Sequence, residues 1–287
     1  MTTAALLPDP LSTGPFRTAT AAAFGVTPRM LAGRRFVRLF RDVYVLRALA
    51  GEPWVRPAGA LLLAPHGALG HVTAARAWDL PAPAVRPGRP EPVHLVVPPG
   101  TSVPRRPGLT IHEVGLPARD VAERDGRPVT VPGRLLADVA ADWALADLVA
   151  CGDAALARGL VDHPDLCARL SRGCGRRGIT ALRRAVPLLD GTAPSPAASR
   201  LRVLVVVAGM PQPVHVDVDR LGWPEQGVLL EADEHDLWLR PDVLVTRTWD
   251  LLRAHGWCPA RPRPATHEAL AALGVFRTPP RWDEPPR

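Results

Sequence analysis

The chain has 287 residues, 47% hydrophobic but only 5% aromatic, so it is long enough for two or three domains whose cores rest mainly on Ala, Leu and Val. Its formal net charge is +7, and all 35 basic residues are arginine. No apolar run approaches the ~20 residues of a membrane span, no basic-then-apolar leader opens the chain, and the cysteines at 151, 167, 174 and 258 lack C-x-x-C spacing, which argues against a spanning helix, a zinc ribbon and a thioredoxin-like pair. A cytoplasmic location without membrane partners is expected. GC-rich coding alone can produce such an arginine bias, yet guanidinium forks also suit phosphates and guanine edges.

Residues 1–15 are Pro-rich and without periodicity, which predicts a frayed tail. Residues 18–24 predict a short helix ending at Gly25. A second starts at Pro28, with Thr27 as its N-cap and Gly33 at its stop. Residues 35–39 and 42–45 are rich in β-branched and aromatic residues and read as two strands. Phe24, Met30, Leu31, Phe36, Leu39, Val43, Tyr44 and Val45 are the expected core of this unit. A helix with a ribbon behind it, dressed in arginine, is the geometry of a winged helix on a DNA duplex. Arg29, Arg34 and Arg35 sit on or just after the recognition helix, and Arg38 and Arg41 on the wing. A solvated arginine-rich surface is the alternative.

Residues 53–80 read as mostly helical, with one helix over 71–79. A Pro/Gly/Arg cluster at 81–92 reads as a loop. Strands are expected at 93–97 and 109–114, with a turn region over 98–108 between them, and a third at 128–131. Helices follow at 132–142, 144–160, 163–171 and 176–188. Cys151 and Cys167 are expected on apolar helix faces. His71, His94 and His112 are read as structural histidines.

Residues 190–195 read as a linker into a helix capped by Ser195 and ending near Gly209. Strands at 214–218 and 226–233, a helix at 241–255, a strand at 257–261 and a helix at 266–273 complete a compact α/β unit. Residues 278–287 read as loose. The charge is uneven. Residues 215–236 gather Asp217, Asp219, Glu225, Glu231, Asp233, Glu234 and Asp236 against Arg220 alone. Glu231 and Asp233, two apart on a strand, point to one face. With Asp219 they are the residues that would hold Mg²⁺ in a nuclease, and His235 would be the general base. A solvated acidic strand end is the other reading.

Residues 195–261 resemble the Vsr-like domains of the PD-(D/E)XK endonuclease superfamily. The resemblance rests on Ser195-Pro-Ala-Ala-Ser-Arg-Leu-Arg202, on Asp219 followed by Leu230-Glu-Ala-Asp-Glu-His235, and on Leu251-Leu-Arg-Ala-His-Gly-Trp257. Ala198 stands where that pattern has glutamate, Glu234 where it has glycine, and no lysine exists to act as the usual cation. These departures weaken the metal site, so a degenerate nuclease-like domain is expected.

The unit ending Arg41-Asp-Val-Tyr-Val45 resembles the winged-helix domain of AbiEi-type antitoxins of type IV toxin–antitoxin systems. Residues 71–79, 93–97 and 129–138 resemble the α/β part that accompanies it. The resemblance implies promoter binding by the winged helix and a nucleotidyltransferase-type toxin as partner. The expected fold is α/β (α+β). A winged helix spans 1–50, a mixed α/β antitoxin-like domain 51–190 and a Vsr-like domain 191–277. The expected function is that of a DNA-binding antitoxin-like or transcriptional regulator acting on double-stranded DNA, without a cofactor. The rivals are an active Mg²⁺-dependent endonuclease, with Asp219, Glu231 and Asp233 as metal ligands, and a toxin-neutralising protein-interaction module.

Overall fold

The computed structural model describes residues 8–83, 91–173, 177–216, 220–231, 240–259, 270 and 274–275. The fold is mixed α and β. The chain divides into two compact units: Met1–Trp78 with Pro87–Val131, and Asp79–Arg86 with Pro132–Arg287. Among the described residues, no helix is long and apolar enough to cross a membrane.

The first unit begins with α1 (Asp9–Ser12), β1 (Phe16–Arg17), α2 (Thr18–Ala23), α3 (Pro28–Leu31), β2 (Phe36–Phe40) and β3 (Val43–Leu46). The three strands form an antiparallel sheet in the order β1-β3-β2. The expected frayed tail is corrected in part, because α1 inserts Leu11 into a core with Phe16, Ala21, Val26, Leu31 and Phe36. Phe16 and Phe36 meet edge to face at 5.6 Å. The Thr27 hydroxyl accepts the Met30 amide and caps α3, where Pro28 needs no amide partner.

Two expected core residues are corrected. Phe24, just after α2, is 47% exposed and Met30, on α3, is 51% exposed, because Ala21 and Leu31 fill the inner faces of these short helices. A register shift between Arg38 and Phe40 precedes the hairpin turn. Asp42 takes φ +73° at this turn, and its carboxylate accepts from Arg17 Nε at 2.9 Å.

Next come α4 (Val55–Leu61), β4 (Ala68–Leu69), α5 (His71–Ala77), β5 (Val93–Val97), β6 (Leu109–Glu113), β7 (Val121–Arg124) and β8 (Arg127–Thr130). The strands make one sheet in the order β6-β5-β4-β8-β7. β5 and β6 run parallel, so residues 98–108 are a crossover rather than a hairpin turn. β4 pairs antiparallel to β5 and parallel to β8, and its two residues are buried at the middle of the sheet. The Trp78 indole donates to the Thr130 carbonyl at 2.9 Å and fastens the end of α5 to β8.

The second unit contains α6 (Pro132–Val139), α7 (Leu145–Ala157), α8 (His163–Arg172), α9 (Ile179–Ala185), α10 (Pro196–Val207) and α11 (Pro241–Ala254). It also holds an antiparallel sheet of β9 (His215–Val216), β10 (Arg220–Trp223) and β11 (Val228–Glu231). Cys151 is buried on α7, whereas Cys167 is exposed on α8 and does not fill an apolar face as expected. Residues 257–259 form no strand. Residues 260–261 and most of the expected helix 266–273 lie outside the described residues.

α10 packs on α7 through buried charge. Arg200 Nε donates to Asp147 at 2.9 Å. Arg202 Nη2 donates to Asp153 at 2.8 Å, and both side chains are 2% exposed. Asp153 also accepts from the Ser199 hydroxyl at 2.7 Å and the Asp190 amide at 2.9 Å. Burial raises the Asp147 carboxyl above its ordinary value, even with the Arg200 guanidinium lowering it. Burial, aided by Asp147, pushes the Cys151 thiol up to about 12, so it stays protonated. Asp153 satisfies a charge that has no solvent to turn to. Asp153→Ala is expected to cost about 3–5 kcal/mol of stability by leaving the buried Arg202 with only the more distant Asp190 carboxylate, 3.9 Å from its Nε. Urea unfolding measures this, and a loss below about 1 kcal/mol would contradict it.

Candidate functional site

The arginines singled out from sequence are all on the surface. Arg29 is exposed on α3, Arg34 and Arg35 in the turn that follows, Arg38 on β2 and Arg41 at the hairpin tip. Arg47 donates to the carbonyls of Arg34 and Phe36 and so ties down the turn that carries Arg34 and Arg35. Arg29, Arg34, Arg38 and Arg41 make no ion pair among the described residues.

Arg38 and Arg41 are brought together with two arginines that the sequence did not single out. Along with Leu39, Phe40, Asp42, Pro104 and Pro107 they line a groove of about 770 Å³, to which the crossover contributes Arg105 and Arg106. The groove has four guanidinium groups and one carboxylate, and that carboxylate already faces Arg17. Arg56 stacks over the Phe40 ring at 4.9 Å. The Nε atoms of Arg56 and Arg106 are buried without a hydrogen-bond acceptor. Four guanidinium groups gathered in one groove are an environment for anionic oxygen. Arg29, Arg34 and Arg35 do not line this groove. The signal for the missed pair was Pro104-Arg-Arg-Pro107 itself, but nothing local in sequence places it beside the hairpin.

The acidic candidates fare differently. Glu231 is exposed on β11 and pairs with Arg220, its cross-strand neighbour, at 3.2 Å. Asp219, Asp233 and His235 lie outside the described residues. The opening helix of the nuclease-like pattern turns its polar residues inward: Ser199, Arg200 and Arg202 bond Asp153 and Asp147, and Ala198 is fully buried. In this chain those positions serve helix packing.

A second cluster was read from sequence as unrelated structural residues. His71, His94 and His112 place their donor nitrogens within 4.8 Å of one another. His94 Nδ1 lies 2.9 Å from His112 Nε2. The His71 and His112 rings stack with centroids 3.4 Å apart. His71 opens α5, while His94 and His112 lie on adjacent strands of one sheet, so only the fold assembles the three.

Among curated proteins, the uncharacterized proteins MT2308 and Rv2248 of Mycobacterium tuberculosis, from strains CDC 1551 and H37Rv, are each 27% identical to this chain over 178 residues. The alignment covers 58% of this chain and 64% of theirs, so the chain spans less than two thirds of the length of the curated relatives it matches. Residues 69–191, from within β4 to just beyond α9, match the family model of the AbiEi antitoxin C-terminal domain, which supports an AbiEi-type antitoxin reading for that stretch.

Proposed function

We propose that this protein is a DNA-binding regulator of the AbiEi antitoxin type, in which residues 8–50 act as a winged helix. The observation that carries the reading is the groove where Arg38, Arg41, Arg105 and Arg106 converge, lined among the described residues by one carboxylate, Asp42, which pairs with Arg17. Two further features support it. The element order α1-β1-α2-α3-β2-β3, with strand order β1-β3-β2, is an arrangement suited to a winged helix. The antitoxin-domain match covers the stretch that follows.

Guanidinium groups neutralise duplex phosphates and release condensed counterions, so binding is salt-dependent. Arg38 and Arg41 on the hairpin, with Arg105 and Arg106 beside them, grip the backbone. Arg29 and the exposed Met30 on α3 face base edges, where arginine reads guanine and an apolar side chain meets the thymine methyl. The matched α/β stretch engages a toxin of the nucleotidyltransferase type, as the antitoxin resemblance implies. The C-terminal region acts as a holding surface rather than a cutter, since Glu231 is engaged by Arg220.

Fluorescence anisotropy on the duplex upstream of the protein's own gene tests the groove. Arg38→Ala with Arg41→Ala is expected to reduce the slope of log K against log salt by about 2 and to weaken binding at least about tenfold. Arg34→Ala with Arg35→Ala is expected to weaken it as well. Unchanged affinity and slope in both double variants would remove the hairpin and the turn after α3 as the reader. A separate assay addresses cutting. Supercoiled plasmid incubated with the protein and Mg²⁺ or Mn²⁺ is expected to stay intact, whereas nicking that vanishes in Glu231→Ala would replace this reading with the endonuclease.

A further inference from the structure

We infer that His71, His94 and His112 form a binding site for one divalent transition-metal ion of the zinc class. Each ring is held by a separate feature of the backbone. His94 and His112 share a face of the sheet, because β5 and β6 pair parallel with His94 opposite Thr110 and Val96 opposite His112. The His94 amide donates to the Thr73 hydroxyl at 2.8 Å, which holds α5 against this strand. The Gly70 amide donates to the His94 carbonyl at 3.0 Å. Gly70 lies so close to β5 that an added Cβ would stand 2.3 Å from Val96 Cγ2.

This close passage swings His71 onto the histidine face, with its backbone at φ +49°, a conformation that a non-glycine residue adopts at a cost. His71 is 9% exposed and the other two are half-buried. The cluster is therefore sheltered, with His94 and His112 still partly exposed.

Tetrahedral zinc with Zn–N near 2.0–2.1 Å sets ligand nitrogens about 3.3 Å apart. The three donors here all lie within 4.8 Å, so nitrogens farther apart than that spacing close by about 1.5 Å at most, while His94 Nδ1 and His112 Nε2, 2.9 Å apart, open slightly and exchange their mutual hydrogen bond for the ion. Imidazole nitrogen suits Zn²⁺, Co²⁺, Ni²⁺ and Cu²⁺ and discriminates against Mg²⁺ and Ca²⁺, which prefer oxygen. Three neutral ligands leave the double charge of the ion uncompensated and a coordination position open for water or an anionic oxygen. Such an ion would join the start of α5 to β5 and β6.

The test is titration of the chelator-stripped full chain with Zn²⁺, using Co²⁺ as an optical probe and Mg²⁺ as a competitor. The expected result is one equivalent bound per chain, the visible absorption of four-coordinate Co²⁺ without a thiolate charge-transfer band, and no displacement by Mg²⁺. His94→Asn and His112→Gln, each checked for folding by circular dichroism, are expected to lower affinity at least about tenfold. The wild-type measurement stands without the variants. Absence of a bound equivalent, a thiolate band, or unchanged affinity in both folded variants overturns the site and leaves a hydrogen-bonded imidazole stack.

Discussion

The chain has no lysine, so its 35 strongly basic side chains all carry a guanidinium, and a guanidinium does not shed its proton to enter a core. An arginine whose whole side chain is buried must therefore meet a carboxylate there. The second unit holds such pairs: Arg134 with Asp138, Arg200 with Asp147 and Arg202 with Asp153. The first unit leaves Arg29, Arg34, Arg38 and Arg41 exposed without ion pairs among the described residues. The sorting explains how one composition supplies both a helix-packing device and a cationic groove. It also explains why the net charge of +7 says little until the arginines are placed.

Local chemistry made much of the fold legible. Thr27 and Ser195 cap the helices that start one residue later, each followed by proline, and Pro132 opens α6. The strands at 93–97 and 109–113 were visible in their β-branched content. Failures have equally local causes. α1 is a four-residue helix and cannot show periodicity, so Leu11 gave no sign that it anchors a core. β4 has two residues, and only pairing with β5 and β8 makes it a strand. β7 was recoverable, because Asp125-Gly126 is a tight-turn dipeptide and both residues take positive φ between β7 and β8.

The site was less legible than the fold because its parts are distant in sequence. Surface arginines could be identified one at a time, yet only the crossover brings Arg105 and Arg106 to Arg38 and Arg41. The nuclease-like pattern shows the converse. Its spacing was visible, but Arg200 and Arg202 are used up in buried pairs with α7. A motif transfers chemistry only when its side chains point into the site, and here the helix carries its polar residues inward.

The register of β5 against β6 sets the geometry of both unusual features of the first unit. Pairing of Val93 with Leu109 and Val97 with Glu113 fixes both ends of the crossover, and the Gly100 amide donates to the Glu113 carboxylate at 2.6 Å to hold its first turn. Arg105 and Arg106 are thereby carried on a segment anchored at each side. A slip of one residue would send His112 to the opposite face of the sheet and disperse the imidazoles. It would also shift the end of the crossover next to Gly108, where Arg56 approaches closely and stacks on Phe40 of the hairpin strand. The groove and the histidine cluster therefore depend on one strand alignment. A divalent ion seated on the three histidines would resist that slip, bracing the strand pair that anchors the crossover carrying the groove's second pair of arginines.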